Sequence, residues 1–278
     1  MLPVRSYLIC ATHRSGSQML CDLLRSTRVA GWPAEYFLPR EEARRYREDA
    51  RRSADARRGD EAGVVGKRED DELDDALRVD AAYLARMLRS RVTRNGVFGM
   101  QVMQSYFEEF VDWLRDTWPG TSGRTATDTL ARVFPGLRYV HLSRRDKARQ
   151  AISLLRARHT KIYGREGSTP PPFNEPFSFE LVLAHVSELE RQDEFWMRLF
   201  STAGVEAIPV IYEELDERPG EVVTDLLRRL EIAVPDDLIV GPSRLRRQAD
   251  ALSEEWVARY RELTLRPDVA GRIGSLAP

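Results

Sequence analysis

Residues 11–19 read Ala-Thr-His-Arg-Ser-Gly-Ser-Gln-Met. They join an apolar run, Tyr7 to Thr12, to an amphipathic run that begins at Gln18. A turn between a buried strand and a helix start suits an anion. The first backbone N–H groups of a helix lack intrahelical partners, and the helix dipole favours negative charge there. Gly16 lets the backbone curl close to the anion, Ser15 and Ser17 offer hydroxyl donors, and Arg14 adds a full charge. An ordinary strand-to-helix turn with a serine cap uses the same residue types. The loop that holds a nucleoside triphosphate with magnesium needs G-x-x-x-x-G-K-[ST], and no lysine follows Gly16 here. The shorter turn fits one terminal phosphate group. A second reactive candidate is Glu35, in Gly31-Trp32-Pro33-Ala34-Glu35-Tyr36-Phe37. A carboxylate desolvated in an aromatic, proline-held loop has its pKa raised toward that of a useful general base. A surface glutamate leaves the same trace in sequence.

These groups need elements to position them. Tyr7 to Thr12 reads as a strand buried on both faces. Gln18 to Thr27 is an amphipathic helix with Met19, Leu20, Leu23 and Leu24 inward. Further helices are expected at 40–52, 81–92, 106–118, 129–134, 146–159, 179–203, 220–230 and 253–263. Strands are expected at 96–103, 138–142 and 208–212. Strands alternating with helices indicate a parallel sheet covered by helices on both faces. Residues 53–75 carry mixed charge and few apolar anchors, which reads as a solvated insertion. The expected organisation is one α/β domain over residues 1–278 with that insertion. Trp113, Trp118 and Trp196 lie on amphipathic helices and are expected in the core.

The 278 residues contain 43 Lys+Arg and 44 Asp+Glu, for a net charge of -1. That disfavours a globally basic nucleic-acid binder. Only Lys67, Lys147 and Lys161 are lysines, and all other cations are arginine, whose fork binds phosphate or sulfate oxygens in pairs. Two cysteines, Cys10 and Cys21, make no disulfide scaffold, and four scattered histidines show no metal-ligand spacing. No metal is expected. The longest apolar run near the start spans five residues, too short for a signal or membrane span, so a cytoplasmic protein is expected.

Arg14-Ser15-Gly16-Ser17 resembles the 5′-phosphosulfate loop of sulfotransferases that use 3′-phosphoadenylyl sulfate (PAPS). The second mark of that superfamily is an Arg at a strand end and a Ser eight positions later, both on the donor's 3′-phosphate. Arg145 and Ser153 have that spacing, and a strand-end Arg beside a helix N-terminus favours a dianion. The segments HRSGSQMLCDLL, GWPAEYF, GVFGMQVM, RRDKARQAISLLRA and RQADALSEEWVARYR resemble the Stf0 (trehalose 2-sulfotransferase-like) family of bacterial carbohydrate sulfotransferases across nearly the whole chain. The resemblance implies a P-loop-type fold and a homodimer. It also implies PAPS as donor, adenosine 3′,5′-bisphosphate (PAP) as product, and a hydroxyl of a sugar or related small molecule as acceptor. Two positions depart from it. Gln18 stands where Thr or Ser is expected, and Gln101 where a lysine is expected.

Sulfuryl transfer is in line and needs a base, stabilisation of the leaving oxygen, and alignment. The resemblance points to Glu35 as base, with His13 and His159 as runners-up. Arg14 is assigned the leaving oxygen, and Ser15, Gly16, Ser17 and Gln18 the 5′-phosphosulfate. Tyr212 is read as an adenine contact or a strand-end core aromatic. Arg247 and Gln248 are read as a segment closing on the 3′-phosphate or as a basic loop. The acceptor is expected between the loop 32–37, the Tyr106 segment and residues 161–177. A P-loop small-molecule kinase and a non-catalytic nucleotide-binding protein are the competing readings.

Overall fold

The structure is a computed structural model and describes residues 3–37, 81–160, 175–241 and 251–266. The charged stretch 53–75, the helix expected at 40–52, most of the loop 161–177, and Arg247 and Gln248 lie outside the described residues.

Four parallel strands form one sheet: β1 (Arg5–Ala11), β2 (Val97–Met103), β3 (Leu137–Ser143) and β4 (Ile208–Ile211). Their order is β2-β1-β3-β4. Ile9 pairs with Gln101 on one side and Val140 on the other, which fixes the register. Neighbouring residues of a strand point to opposite faces. Tyr7 to Ala11 and Val97 to Met103 are nevertheless buried without a break, so helices cover the sheet on both faces.

The helices are α1 (Ser17–Ser26), α2 (Ala81–Ser90), α3 (Phe107–Thr117), α4 (Ala126–Val133), α5 (Lys147–Thr160), α6 (Phe179–Ala203), α7 (Tyr212–Glu217), α8 (Pro219–Arg229) and α9 (Ala251–Thr264). Helix α6 has the bounds its periodicity gives. The Ser178 hydroxyl caps it by accepting from Leu181 N–H at 3.2 Å, and Gly204 ends it in the left-handed region at φ 62°. Two expected elements differ. The segment expected as one helix from Tyr106 opens instead as a 3₁₀ turn, Gln104–Tyr106, before α3 begins at Phe107. The strand expected to close on Tyr212 stops at Ile211, and Tyr212 opens α7 with Glu213 and Glu214 in its first turn. Acidic residues there are favoured by the helix dipole.

The core has two parts. The larger lies around the sheet and takes in α1, α3, α4 and α8. The smaller joins α5, the first half of α6, and α9 through Ile152, Leu155, Val186, Leu189, Trp256 and Tyr260. Trp196 is expected in the core and is fully buried there. Its ring meets Phe107 at 4.9 Å, and its indole N–H donates to the Ala11 carbonyl at 3.1 Å. Helix α6 is thus tied to the last residue of β1, just before the anion turn. Trp196→Ala is expected to lower the unfolding free energy by about 3–5 kcal/mol, the usual cost of emptying so large a site. Trp196→Phe keeps a ring and gives up chiefly the hydrogen bond, about 1 kcal/mol. Urea denaturation monitored by circular dichroism measures both; equal losses would contradict the role of the indole N–H.

Candidate functional site

In a parallel sheet, a crevice opens at the carboxyl ends of adjacent strands whose connections leave in opposite directions. Strands β1 and β3 are such a pair, because β1 leads to β2 on one side and β3 leads to β4 on the other. The turn after β1 and the turn after β3 therefore face each other.

The turn after β1 is tightly shaped. Arg14 and Gly16 both take left-handed backbone, at φ 62° and φ 93°. Such a conformation costs a non-glycine residue about 1–2 kcal/mol, so Arg14 is held there by its surroundings. Gln150 of α5 is part of that hold, since its amide donates to the Thr12 hydroxyl at 2.8 Å and the His13 carbonyl at 2.7 Å. Helix α1 then starts at Ser17 with no side chain capping it and no acidic residue in its first turn. The first helix N–H groups are left for another acceptor. Ser15 is fully buried, and its hydroxyl has no hydrogen-bond partner among the described residues. A buried hydroxyl without a partner costs about 1–3 kcal/mol, which a bound oxyanion would recover. Gly16 is needed for close packing as well as for its φ. A Cβ there would lie 2.4 Å from Cδ2 of Tyr212.

The turn after β3 supplies cations. Arg14 Nε donates to the Ser153 hydroxyl at 2.9 Å, which links the β1 turn to α5. Arg144 donates to the Arg14 carbonyl at 3.2 Å and stacks over the Tyr212 ring at 4.4 Å. Burial lowers the pKa of Arg144, while its Nε has no partner among the described residues. Arg145 points elsewhere. Its side chain pairs with Glu214, and its backbone N–H donates to Glu213 at 3.1 Å. The structure thus brings Arg14, Ser153, Arg144, Gly16 and Tyr212 together and turns Arg145 toward α7. The Arg145–Glu214 pair is well exposed, and such pairs contribute about 0–1 kcal/mol, so an anion can displace Glu214.

Glu35 lies at the edge of β2. The chain before it pairs with that strand, because Gln101 N–H donates to the Ala34 carbonyl at 3.0 Å. Phe37 anchors the other end, buried against Phe110 at 5.2 Å and Trp113 at 5.4 Å. Between these anchors the carboxylate accepts from the Tyr106 hydroxyl at one oxygen and from the Gln101 amide at the other, the latter at 3.3 Å. Tyr106 follows Ser105, whose hydroxyl hydrogen-bonds the His13 ring at 3.0 Å. Two adjacent residues of the turn after β2 thus contact the turn after β1 and Glu35 respectively.

The sequence model of the Stf0 sulphotransferase family matches residues 6–263. The chain belongs to that family. Trehalose 2-sulfotransferase of Mycolicibacterium smegmatis is 32% identical over 267 residues, covering 92% of this chain and 94% of that protein. Trehalose 2-sulfotransferase of Mycobacterium tuberculosis is 30% identical over 275 residues, covering 93% and 95%. The fold is also that of two solved structures. The sulfotransferase domain of the Synechococcus PCC 7002 olefin synthase aligns with TM-score 0.50 at 16% identity, over 100% of this chain and 96% of that one. The sulfotransferase domain of the curacin biosynthetic pathway aligns with TM-score 0.50 at 14% identity, over 99% and 97%. The protein is a sulfotransferase with a P-loop-type fold.

In this Stf0 sulfotransferase, the sequence does not single out Arg144 or Gln150; Gln101, marked there only as a departure from the family pattern, and Tyr106, of the segment expected beside the acceptor, are partners of Glu35. Arg144 and Gln150 sit inside a basic run that reads as a helix face, and their partners are far away in the chain. His159, the other alternative base, lies 3.3 Å from Glu175, with both side chains half-exposed. His13 behaves differently. Burial, helped by Arg158 and opposed by Glu188, pulls its pKa from 6.5 down to about 4. Between those values the unfolded chain binds the proton and the folded one does not, so stability is full above about pH 6.5 and falls as pH drops toward 4. Replacing His13 by Gln should flatten the stability–pH curve in that window by roughly 1–3 kcal/mol. Urea unfolding at pH 4.5 and 7 would show it; an unchanged slope would mean that the surroundings of His13 do not lower its pKa.

Proposed function

We propose that the protein transfers the sulfuryl group of PAPS to a hydroxyl of a carbohydrate or related small molecule. The observation that carries this reading is the turn after β1. A fully buried serine hydroxyl without a partner among the described residues, two left-handed residues and an uncapped helix start meet at the sheet's switch point. Those groups fit a phosphosulfate end, and the lysine that a triphosphate loop needs does not follow Gly16.

In this reading Ser15, Gly16, Ser17 and Gln18 hold the 5′-phosphosulfate, and Arg14 meets the charge that develops on the leaving oxygen. Arg145, before α5, and Ser153, within it, take the 3′-phosphate. Tyr212, already packed on Gly16 and under Arg144, shapes the floor beneath the donor. Glu35 takes the acceptor's hydroxyl proton while that oxygen attacks sulfur. The bond from sulfur to the phosphate oxygen breaks, and the electron pair leaves with PAP. The acceptor lies beside Glu35, Tyr106 and the aromatic loop. The relatives named for trehalose make that sugar the first acceptor to try.

The test is turnover with PAPS against a sugar panel headed by trehalose, with sulfated product read by mass spectrometry. Glu35→Gln should lower kcat by about 10²–10⁴-fold and leave PAP affinity within about twofold. Arg145→Ala should weaken PAPS about tenfold more than adenylyl sulfate, which lacks the 3′-phosphate. Equal losses for the two donors would remove Arg145 from the donor site, and full activity in Glu35→Gln would remove Glu35 as the base.

A further inference from the structure

Gln101 lies in the middle of β2 with 1% of its surface exposed, an unusual place for a polar side chain. Its amide is used at both ends. The Cys21 thiol of α1 donates to Oε1 at 3.3 Å, and Nε2 donates to Glu35 at 3.3 Å. Its backbone N–H also holds the residue before Glu35, through the Ala34 carbonyl at 3.0 Å. One buried residue therefore fixes the base loop twice, once through main chain and once through side chain.

The orientation of that amide is determined by its neighbours. Burial pushes the Cys21 thiol far above its ordinary value, so it keeps its proton and serves as a donor. The ionised carboxylate of Glu35 only accepts. A donor on one side and an acceptor on the other turn the carbonyl of Gln101 to Cys21 and its NH₂ to Glu35. A flipped amide would set two donors face to face on one side and two acceptors on the other. Inside the core that arrangement costs about 1–3 kcal/mol per unmatched group.

We propose that Gln101, oriented by Cys21, is the positioning residue for the Glu35 carboxylate: a neutral donor that aims the base without neutralising its charge. This rests on Glu35 being the base. With Tyr106 on the first oxygen and Gln101 on the second, the carboxylate is held from two elements, the 3₁₀ turn and β2. A cation in place of Gln101 would hold the same oxygen but stabilise the charged form and make Glu35 a weaker base. An apolar side chain of equal size would remove this donor from the second oxygen and loosen the carboxylate, with Tyr106 still on the first oxygen. Positioning within a fraction of an ångström is worth orders of magnitude in rate, so the site should respond to both changes in different ways.

The experiment compares wild type, Gln101→Met and Gln101→Lys in the full chain. With PAPS and trehalose as probes, Gln101→Met should lower kcat at least tenfold while KM for PAPS stays within twofold. Gln101→Lys should retain more of kcat and move the acid limb of its pH profile down by a unit or more. The Glu35 carboxyl carbon, followed by ¹³C NMR and assigned with Glu35→Gln, gives a reading that needs no acceptor. Its titration midpoint should move down in Gln101→Lys and up in Gln101→Met. Midpoints that coincide in all three proteins would overturn the proposal. So would a kcat in Gln101→Met within twofold of wild type. If wild type sulfates no member of the sugar panel, the proposed function fails, while the carbon titration still decides whether Gln101 orients Glu35. Thermal melting checks that each variant is folded, and Gln101→Lys, which keeps a donor to Glu35, stands in if Gln101→Met does not fold.

Discussion

Everything at this site depends on a strained turn of a few residues after β1. Arg14 and Gly16 are both left-handed, and that bend carries the buried hydroxyl of Ser15, without a partner among the described residues, into the uncapped start of α1. The bend is kept by contacts from three other elements. Gln150 of α5 ties down Thr12 and His13, Arg144 after β3 holds the Arg14 carbonyl, and the Tyr212 ring fills the space that only glycine leaves at position 16. Trp196 of α6 fixes the strand just before the turn. The cost of the backbone strain is spread over the core, which is how a fold keeps an anion site preorganised.

The Glu35 side of the site uses the outer edge of β2. β2 is an outer strand, so its free edge takes the Ala34 segment as an extra partner. That places Glu35 next to Tyr106 and Gln101 while keeping it on the carboxyl side of the sheet with the anion turn. The two halves meet through His13 and Ser105.

Much of this was legible in the sequence. A strand, a short turn with glycine and serine, and an amphipathic helix are local patterns, and their meaning survives without tertiary contacts. The same holds for α6, whose length and serine and glycine ends match its periodicity. Glu35 could be singled out because the loop around it is dense in aromatics and proline. What could not be read depends on distant partners. Gln101 looks like one polar residue in an apolar strand until Cys21 and Glu35, 80 and 66 positions away, close on its two ends. Arg144 looks like its neighbour Arg145 until one is half-buried over Tyr212 and the other paired with Glu214. Tyr212 closes a strand by propensity, yet two glutamates in the following turn draw it into a helix.

The most direct measurement is a calorimetric titration of the protein with PAP, with AMP and Mg-ATP as controls. With Arg145 and Ser153 on the 3′-phosphate and the turn on a single terminal group, as proposed, PAP is expected to bind at micromolar concentration and at least tenfold tighter than AMP, with no gain from Mg-ATP. Binding of PAP and AMP with equal affinity, or a preference for Mg-ATP, would contradict this reading.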